Sequence, residues 1–166
     1  MADYSAGVLF YYKSNGTVFF LLGKDRRGKW SDFGGKCEQE DFTINETAAR
    51  EFYEETVGIV MNKFTVSHIL KNNCYVIGRS YLNKPYYMFI SEMTYKIRYT
   101  EQFKESYRYI KSILGNNSPF CEKIDIQWIS KDNIEKNLKS EIRQVFYTTF
   151  TENLNNIMNI INKTCV

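Results

Sequence analysis

The chain has few of the residues that mark several common classes of protein. It contains two prolines and one histidine in 166 residues, and its four cysteines (Cys37, Cys74, Cys121 and Cys165) show no CxxC spacing. This pattern offers no plausible set of zinc ligands. The scattered cysteines indicate reduced thiols in a cytoplasmic protein rather than a disulfide framework. The single histidine, His68, is interpreted as a packed or surface residue.

Long hydrophobic runs are also missing. No stretch approaches the ~20 apolar residues of a membrane span, and no basic segment followed by an apolar one begins the chain. We therefore expect no signal peptide and no membrane partner. The net charge of +3 suits phosphate-bearing ligands but does not establish a nucleic-acid groove. With 43% hydrophobic residues, residues 1–166 are expected to form a single domain.

The hydrophobic pattern predicts a layered α/β protein. Two β-rich runs meet at Asn15-Gly16, a hairpin signal. A helix over the acidic segment near residue 50 would start at Thr43, which has capping-box form with Glu46. A long amphipathic helix is expected from Ser140 onward. Its hydrophobic stripe would pack either on its own sheet or on a second subunit, so the sequence leaves open whether the protein is a homodimer. Further strands are expected at 64–70, 74–77, 86–93 and 124–129, and further helices at 103–114 and after Asp132.

The most informative segment is Arg-Glu-Phe-Tyr-Glu-Glu at residues 50–55. Glu51, Glu54 and Glu55 stand at i, i+3 and i+4, so on a helix they project within an arc of ~100°. Arg50 can hold Glu54 across one turn. Like charges this close repel each other, and a bound divalent cation removes that cost by taking hard oxygen ligands. The spacing therefore predicts a magnesium site.

This segment and the glycine pair upstream of it resemble the Nudix box, the signature of the Nudix hydrolases. Gly35 matches the leading glycine, residues 50–55 match the Arg-Glu-apolar-x-Glu-Glu core, and Gly58-Ile59 matches the closing pair. The box departs from the family spacing by one residue before Arg50 and by one residue, Val57, before Gly58. Counting places Asp41 where the family has its first glutamate. Phe33 stands where many members have proline.

The resemblance implies a fold, a cofactor and a set of site residues. The fold would be a Nudix-type α/β/α sandwich with a central mixed sheet. Glu51, Glu54 and Glu55, with the carbonyl of Gly35, would bind Mg²⁺, with Mn²⁺ as a substitute. Arg50 would orient the glutamates. One glutamate of the box, or a carboxylate from later in the chain, would act as general base.

Substrate-binding residues are harder to select from one sequence. Arg27, in the basic turn Arg26-Arg27-Gly28-Lys29, and Lys36 are candidates for phosphate contact. Phe33 is a candidate for stacking on a base, as are Tyr4 and Tyr87. An additional carboxylate outside the box is expected from Glu92, Glu101, Glu105 or Glu122, and Glu101 or Glu105 is preferred.

The resemblance implies hydrolysis of a nucleoside diphosphate linked to another moiety, with release of a mononucleotide. The preferred substrate is a small nucleotide, and removal of an mRNA cap is the alternative within enzymes, which the basic turn supports. Outside enzymes, the fold could serve as a non-catalytic nucleotide sensor. Complete retention of the box glutamates argues against a sensor.

Overall fold

The computed structural model describes residues 3–136 and 139–163, and it shows a seven-stranded mixed sheet with helices on both faces. The strands are β1 (Ser5–Ser14), β2 (Thr17–Asp25), β3 (Trp30–Ser31), β4 (Phe33–Lys36), β5 (Tyr75–Arg79), β6 (Pro85–Glu92) and β7 (Lys123–Ser130). The helices are α1 (Ile44–Glu55), α2 (Lys63–Leu70), α3 (Arg98–Leu114), α4 (Lys131–Lys136), α5 (Gln144–Glu152) and α6 (Leu154–Lys163), with short 3₁₀ turns at Pro119–Cys121 and Lys139–Glu141.

Strand β1 organises the sheet. It pairs in parallel with β6, while its other edge is divided between two antiparallel partners: residues 11–14 pair with β2 and residues 5–8 pair with β4. The remaining pairs, β2 with β3, β2 with β7 and β5 with β6, are antiparallel. The β1–β2 hairpin turns at Asn15 and Gly16, both with positive φ, as the Asn-Gly pair predicts. The central mixed sheet is thus confirmed.

Two hydrophobic cores lie on opposite faces of the sheet. One joins sheet residues such as Leu9 and Phe20 to Phe150 of α5 and Ile161 of α6. The other packs α1, α2 and α3 on the opposite face. Alternation along β1 explains the division, because Leu9 and Tyr11 belong to one core while Val8 and Phe10 belong to the other. The predicted α/β/α sandwich is therefore confirmed.

The prediction of a strand at residues 64–70 is wrong, because this segment is helix α2. Its β-branched and aromatic residues favour a strand by propensity. Asn62 instead caps a helix by accepting a hydrogen bond from the Thr65 N–H at 2.9 Å. Val66 and Leu70, one turn apart, are buried against the second core. His68 is consequently exposed on a helix rather than within a strand.

The predicted single helix after Ser140 is two helices that meet at Asn153. The Asn153 side chain donates hydrogen bonds to the carbonyls of Thr149 (3.0 Å) and Ile77 (3.3 Å). These bonds hold the chain at the break, and the hydrophobic stripe continues across it with Phe146 and Ile157 both buried. The stripe packs on its own sheet. Helix α3 also begins earlier than predicted, at Arg98.

In the described part of the chain, no helix combines the length and hydrophobicity that crossing a bilayer requires. Cys37, Cys74 and Cys121 are free thiols. Cys165 lies outside the described residues.

Phe52 should contribute strongly to the core under α1. It is fully buried, and its ring meets those of Phe10 and Phe33 at centroid distances of 4.9 and 5.0 Å. We expect Phe52→Ala to lower the free energy of unfolding by about 3–5 kcal/mol, measured by urea denaturation. Phe64→Ala is the control, because Phe64 is 79% exposed, and we expect a change within about 0.5 kcal/mol. Equal losses in both variants would contradict this packing.

Candidate active site

Arg50 is the centre of a hydrogen-bond network that gathers the acidic residues at one end of the sheet. Its Nε donates to both oxygens of Asp41 at 3.2 Å, and its Nη2 donates to Asp41 Oδ2 at 2.9 Å and to the Lys36 carbonyl at 2.8 Å. Its Nη1 donates to Glu51 Oε1 at 3.0 Å and to Glu54 Oε2 at 3.2 Å. The five N–H donors of the guanidinium are thereby used.

The loop before α1 is ordered around Asp41. This side chain binds Arg50 and also accepts a hydrogen bond from the Glu38 N–H at 3.0 Å. Burial raises the pKa of Asp41, but the hydrogen bonds and charge of Arg50 outweigh that effect and lower it. Counting places Asp41 at the first glutamate of the box. In the structure, Arg50 binds the Asp41 carboxylate. The extra residue in this loop does not disturb the contact.

The other extra residue is absorbed after the carboxylate helix. Val57 and Gly58 both have positive φ, and the Gly58 N–H donates to the Tyr53 carbonyl at 2.7 Å. This turn closes α1 without changing its register. At the opposite end, Thr43 accepts a hydrogen bond from the Glu46 N–H at 3.2 Å, which confirms the predicted cap.

The glycine pair brings the backbone of β4 against the carboxylate helix. A Cβ on Gly35 would overlap the carboxylate of Glu51, so a larger residue here would displace that carboxylate from its present position. The Gly34 N–H donates to Glu55 Oε2 at 2.9 Å. The glycines thus fix the distance between β4 and α1, and they place main-chain groups beside the acidic side chains.

Glu55 lies on the dry side of the cluster and is paired with a buried lysine. Glu55 is 3% exposed and Lys123 is 1% exposed, and Glu55 Oε1 lies 3.4 Å from Lys123 Nζ. Lys123 Nζ also donates to Ser31 Oγ at 2.7 Å and to the Asp32 carbonyl at 3.2 Å. A buried charge needs such partners, because the desolvation of each ion costs several kcal/mol. Sequence reasoning missed Lys123.

Burial dominates the electrostatics of the three glutamates. It raises the pKa of Glu51 to about 7 and that of Glu55 to about 8, and it also raises the pKa of Glu54. The charge of Arg50 opposes the shift at Glu51 and Glu54, and that of Lys123 opposes it at Glu55. Each carboxylate is therefore costly to ionise in this position, and an additional cation would relieve that cost.

The donor set fits a hard divalent cation such as Mg²⁺. Within residues 3–136 and 139–163, no three acidic side chains are arranged as a finished metal site, because the glutamates point to Arg50 and Lys123. Glu51 Oε1 and Glu54 Oε2 are engaged by Arg50, and no described hydrogen bond uses the second oxygen of either group. Those two oxygens are the acceptors of the cluster that could hold the ion. Glu55, also predicted as a ligand, has Oε1 beside Lys123 Nζ and Oε2 bound by the Gly34 N–H, and the Gly35 carbonyl stays a predicted ligand.

Phe33 is a structural residue, and its predicted role in base stacking is wrong. It is fully buried, with its ring against Phe52 and its face 5.9 Å from Lys123 Nζ. Successive side chains of a strand point to opposite faces of the sheet, and Phe33 of β4 points to the face that carries the second core. Lys36 is exposed at the end of β4, beside the glycine pair.

The structure separates the candidates for an additional carboxylate. Glu101 and Glu105 are exposed on α3, and Glu105 lines a shallow pocket with Ile59. Neither has a described contact with the box glutamates. The charge of Glu122, just before β7, raises the pKa of both Glu51 and Glu55. Glu122 is thus the candidate that the fold brings near the box.

Arg27 lies on the wall of an open groove that reaches Glu122. The groove also contains Arg26, Lys29 and Arg143. The Arg27 main-chain N–H donates to Asp25 Oδ1 at 2.9 Å, so the turn is shaped by Asp25 while the arginine side chain is exposed. The basic turn thus lines the same groove as Glu122, and phosphate contact by Arg27 stays a prediction.

The comparisons with known proteins agree with this arrangement. The model of the NUDIX domain matches residues 1–150, so the chain belongs to the Nudix family, whose enzymes hydrolyse phosphoanhydride bonds. Over 58 residues it is 43% identical to an uncharacterized protein, L534, of Acanthamoeba polyphaga mimivirus. That match covers 31% of this chain and spans 19% of the relative's length.

Two solved structures show the same fold. The NUDIX domain of Shewanella oneidensis NrtR, complexed with ADP ribose, aligns with a TM-score of 0.58 at 11% identity, over 95% of this chain and 89% of its own. A C. elegans Ap4A hydrolase binary complex aligns with a TM-score of 0.57 at 14% identity, over 93% of this chain and 98% of its own. At these identities the likeness concerns the fold alone.

The buried pair of Lys123 and Glu55 should be detectable as an energetic coupling. We expect Lys123→Met to lower the free energy of unfolding by about 3–5 kcal/mol, because it removes the cation that favours ionised Glu55 and leaves this buried carboxyl group without its ion partner. The double variant Lys123→Met with Glu55→Gln should recover most of that loss, because the buried charge is gone. Urea denaturation of the two single variants and the double variant measures the coupling. Losses that simply add would contradict it.

Proposed function

We propose that this protein is a Mg²⁺-dependent pyrophosphohydrolase that cleaves a nucleoside diphosphate linked to another moiety and releases a mononucleotide. The observation that best supports the proposal is the Arg50 network, in which one guanidinium binds Asp41, Glu51 and Glu54. One positive charge on Arg50 thus holds three carboxylates in place and cannot neutralise all three. Such a cluster suits a site whose ligand brings its own divalent cation.

Each residue of the site has a distinct part in the proposed reaction. Glu51 and Glu54 would bind the metal with their second oxygens, together with the Gly35 carbonyl. Mg²⁺ or Mn²⁺, when bound, neutralises the charge of the diphosphate oxygens and lowers the pKa of a coordinated water. Arg50 would hold the two glutamates in orientation. Glu55, anchored by Lys123 and Gly34, would complete the acidic wall of the site from its buried side.

We expect Glu54→Gln to lower the rate of mononucleotide release by ~10²-fold or more, since it removes a charged metal ligand. The measurement is product release from a panel of nucleoside triphosphates, nucleotide sugars, dinucleoside polyphosphates and capped RNA in the presence of Mg²⁺. Glu46→Gln is the matched control on the same helix. Glu46 accepts a hydrogen bond from the Phe42 N–H at 2.8 Å, and glutamine can accept the same bond.

Metal binding provides a readout that does not depend on turnover. Mg²⁺ should raise the melting temperature of the wild type and of Glu46→Gln by mass action, and it should do so less for Glu54→Gln. Full turnover in Glu54→Gln, together with an unchanged shift in melting temperature, would contradict the assignment of the site. Tight nucleotide binding without product release in the wild type would favour the sensor over the hydrolase.

Removal of an RNA cap is a second candidate, and the basic groove is the observation that favours it. Arg26, Arg27, Lys29 and Arg143 line this groove, which has a volume of about 800 Å³. A groove with several cations can follow an anionic backbone that continues beyond the cleaved diphosphate. A small nucleotide substrate remains the preferred proposal, because it needs no second domain.

The double variant Arg26→Ala with Arg27→Ala distinguishes the two substrates. For capped RNA we expect a higher KM and a salt dependence reduced by about two phosphate contacts, because each arginine side chain in the groove would neutralise one phosphate. For a nucleoside triphosphate we expect little change. Arg98→Ala with Arg108→Ala is the control, because both residues are exposed on α3. An identical response of the two substrates would remove the basis for cap recognition.

Three further predictions concern the location of the protein, its number of domains and its oligomeric state. A cytoplasmic location and a single domain over residues 1–166 stay predictions. A homodimer also stays a prediction, and the hydrophobic stripe of α5 and α6 does not require it, because the stripe is buried against its own sheet.

A further inference from the structure

A cavity of about 330 Å³ opens beside the glycine pair, and none of the box glutamates lines it. Gly34, Gly35 and Lys36 form the side nearest the box. Asp32 and Tyr86, which are 4% and 5% exposed, form its inner end, here called the floor. The rim and walls are mostly hydrophobic and include Tyr81, Leu82, Val145 and Phe146. Cavities of this size and character accommodate small organic groups.

The floor carries a buried carboxylate without an ion pair. Tyr86 donates its hydroxyl proton to Asp32 Oδ2, and no salt bridge involving the Asp32 side chain is found within residues 3–136 and 139–163. A carboxylate can accept about four hydrogen bonds. Apart from Tyr86 and the main-chain N–H of Asp32 itself, no described donor reaches it. The group therefore keeps unused acceptor capacity at a wall of the cavity.

The charge state of Asp32 strengthens this acceptor character. Burial raises the pKa of Asp32 to about 6, while the Tyr86 hydrogen bond and the charges of Lys123 and Arg143 act in the opposite direction. The group is thus mainly ionised at neutral pH and can only accept hydrogen bonds. The Tyr86 proton is already committed to Asp32, so the Tyr86 oxygen can only accept a hydrogen bond from a ligand.

We propose that Asp32 and Tyr86 form the base-reading floor of the substrate pocket and select guanine. The inference rests on the proposed function for the identity of the ligand as a nucleotide. Guanine presents two adjacent donors, N1–H and the 2-amino group, which match a carboxylate in a bidentate pair. Uracil presents one N–H between two carbonyls, and those carbonyls would face the acceptors of the floor. Such a mismatch leaves polar groups unpaired and disfavours the ligand.

The rim supports the same orientation of ligand. Tyr81 is 70% exposed at the cavity, where its ring is free to cover one face of a base. Tyr81 and Arg143 line both this cavity and the basic groove, so the two sites meet at these side chains. A base on Asp32 would then place its phosphates toward Lys36 and the glycine pair.

The test compares the binding of mononucleotides, so that it does not depend on hydrolysis. We expect the wild type to bind GMP about tenfold or more tightly than IMP, which lacks only the 2-amino group, and UMP to bind more weakly still. Isothermal titration calorimetry at neutral pH gives the three dissociation constants. A GMP to IMP ratio within twofold would overturn the proposal.

Asp32→Asn is the decisive variant, because the amide oxygen can still accept the Tyr86 hydrogen bond while the amide NH₂ opposes the guanine donors. We expect it to reduce the GMP to IMP ratio to about twofold or less. Asp132→Asn is the matched control, because Asp132 is exposed on α4, and it should keep the wild-type ratio. Should Asp32→Asn fail to fold by circular dichroism, the wild-type ratio and the effect of Tyr81→Ala, expected to weaken GMP and IMP binding equally, decide the question.

The same proteins separate this inference from the proposed function. Hydrolysis of the nucleotide panel without base preference, unchanged in Asp32→Asn, would overturn the guanine pocket and leave the pyrophosphohydrolase intact. Selective GMP binding that depends on Asp32, without any Mg²⁺-dependent product release, would retain the pocket and reject the hydrolase. Failure of every mononucleotide to bind would overturn the assignment of the cavity to a base.

Discussion

The site depends on one guanidinium that contacts three parts of the chain at once. Arg50 binds Asp41 in the loop before α1, Glu51 and Glu54 on α1 and the Lys36 carbonyl at the end of β4. Because these donors are held in a planar fork, the loop, helix and strand cannot move independently without breaking charged hydrogen bonds. A lysine would supply the charge but not the fork. The arginine therefore stabilises an acidic cluster that would otherwise repel itself, and it leaves the glutamate oxygens on the far side available.

Beneath the partly buried Arg50 network the charges are arranged differently. Glu55 is buried against Lys123, and Asp32 is buried against Tyr86. The two layers meet at the glycine pair, where the Gly34 N–H holds Glu55 and the backbone of Gly35 touches Glu51. This division suits a site in which one set of carboxylates meets ions and water while the other set sits at low dielectric, where hydrogen bonds are stronger and more selective.

Local sequence patterns were sufficient to predict features that lie within a single helix or hairpin. The spacing of Glu51, Glu54 and Glu55, the cap at Thr43 and the hairpin at Asn15-Gly16 all follow from short-range geometry, and the structure contains each of them. Where two local preferences compete, prediction fails. Residues 64–70 have strand propensity, but the cap at Asn62 and burial of Val66 and Leu70 select a helix. The helix after residue 140 is interrupted because Asn153 bonds to Ile77 on a distant strand.

The sequence by itself determined the acidic helix, the glycine pair, the family and the layered architecture, because each is encoded by residue type and spacing over a few turns or strands. Only the tertiary structure decided which side chains face the site. Phe33 is in the core, Lys123 lies under Glu55 at a β2–β7 pairing with a register shift, and Asp32 meets Tyr86 across 54 positions of the chain. These outcomes depend on strand register and on long-range burial, which local spacing does not contain.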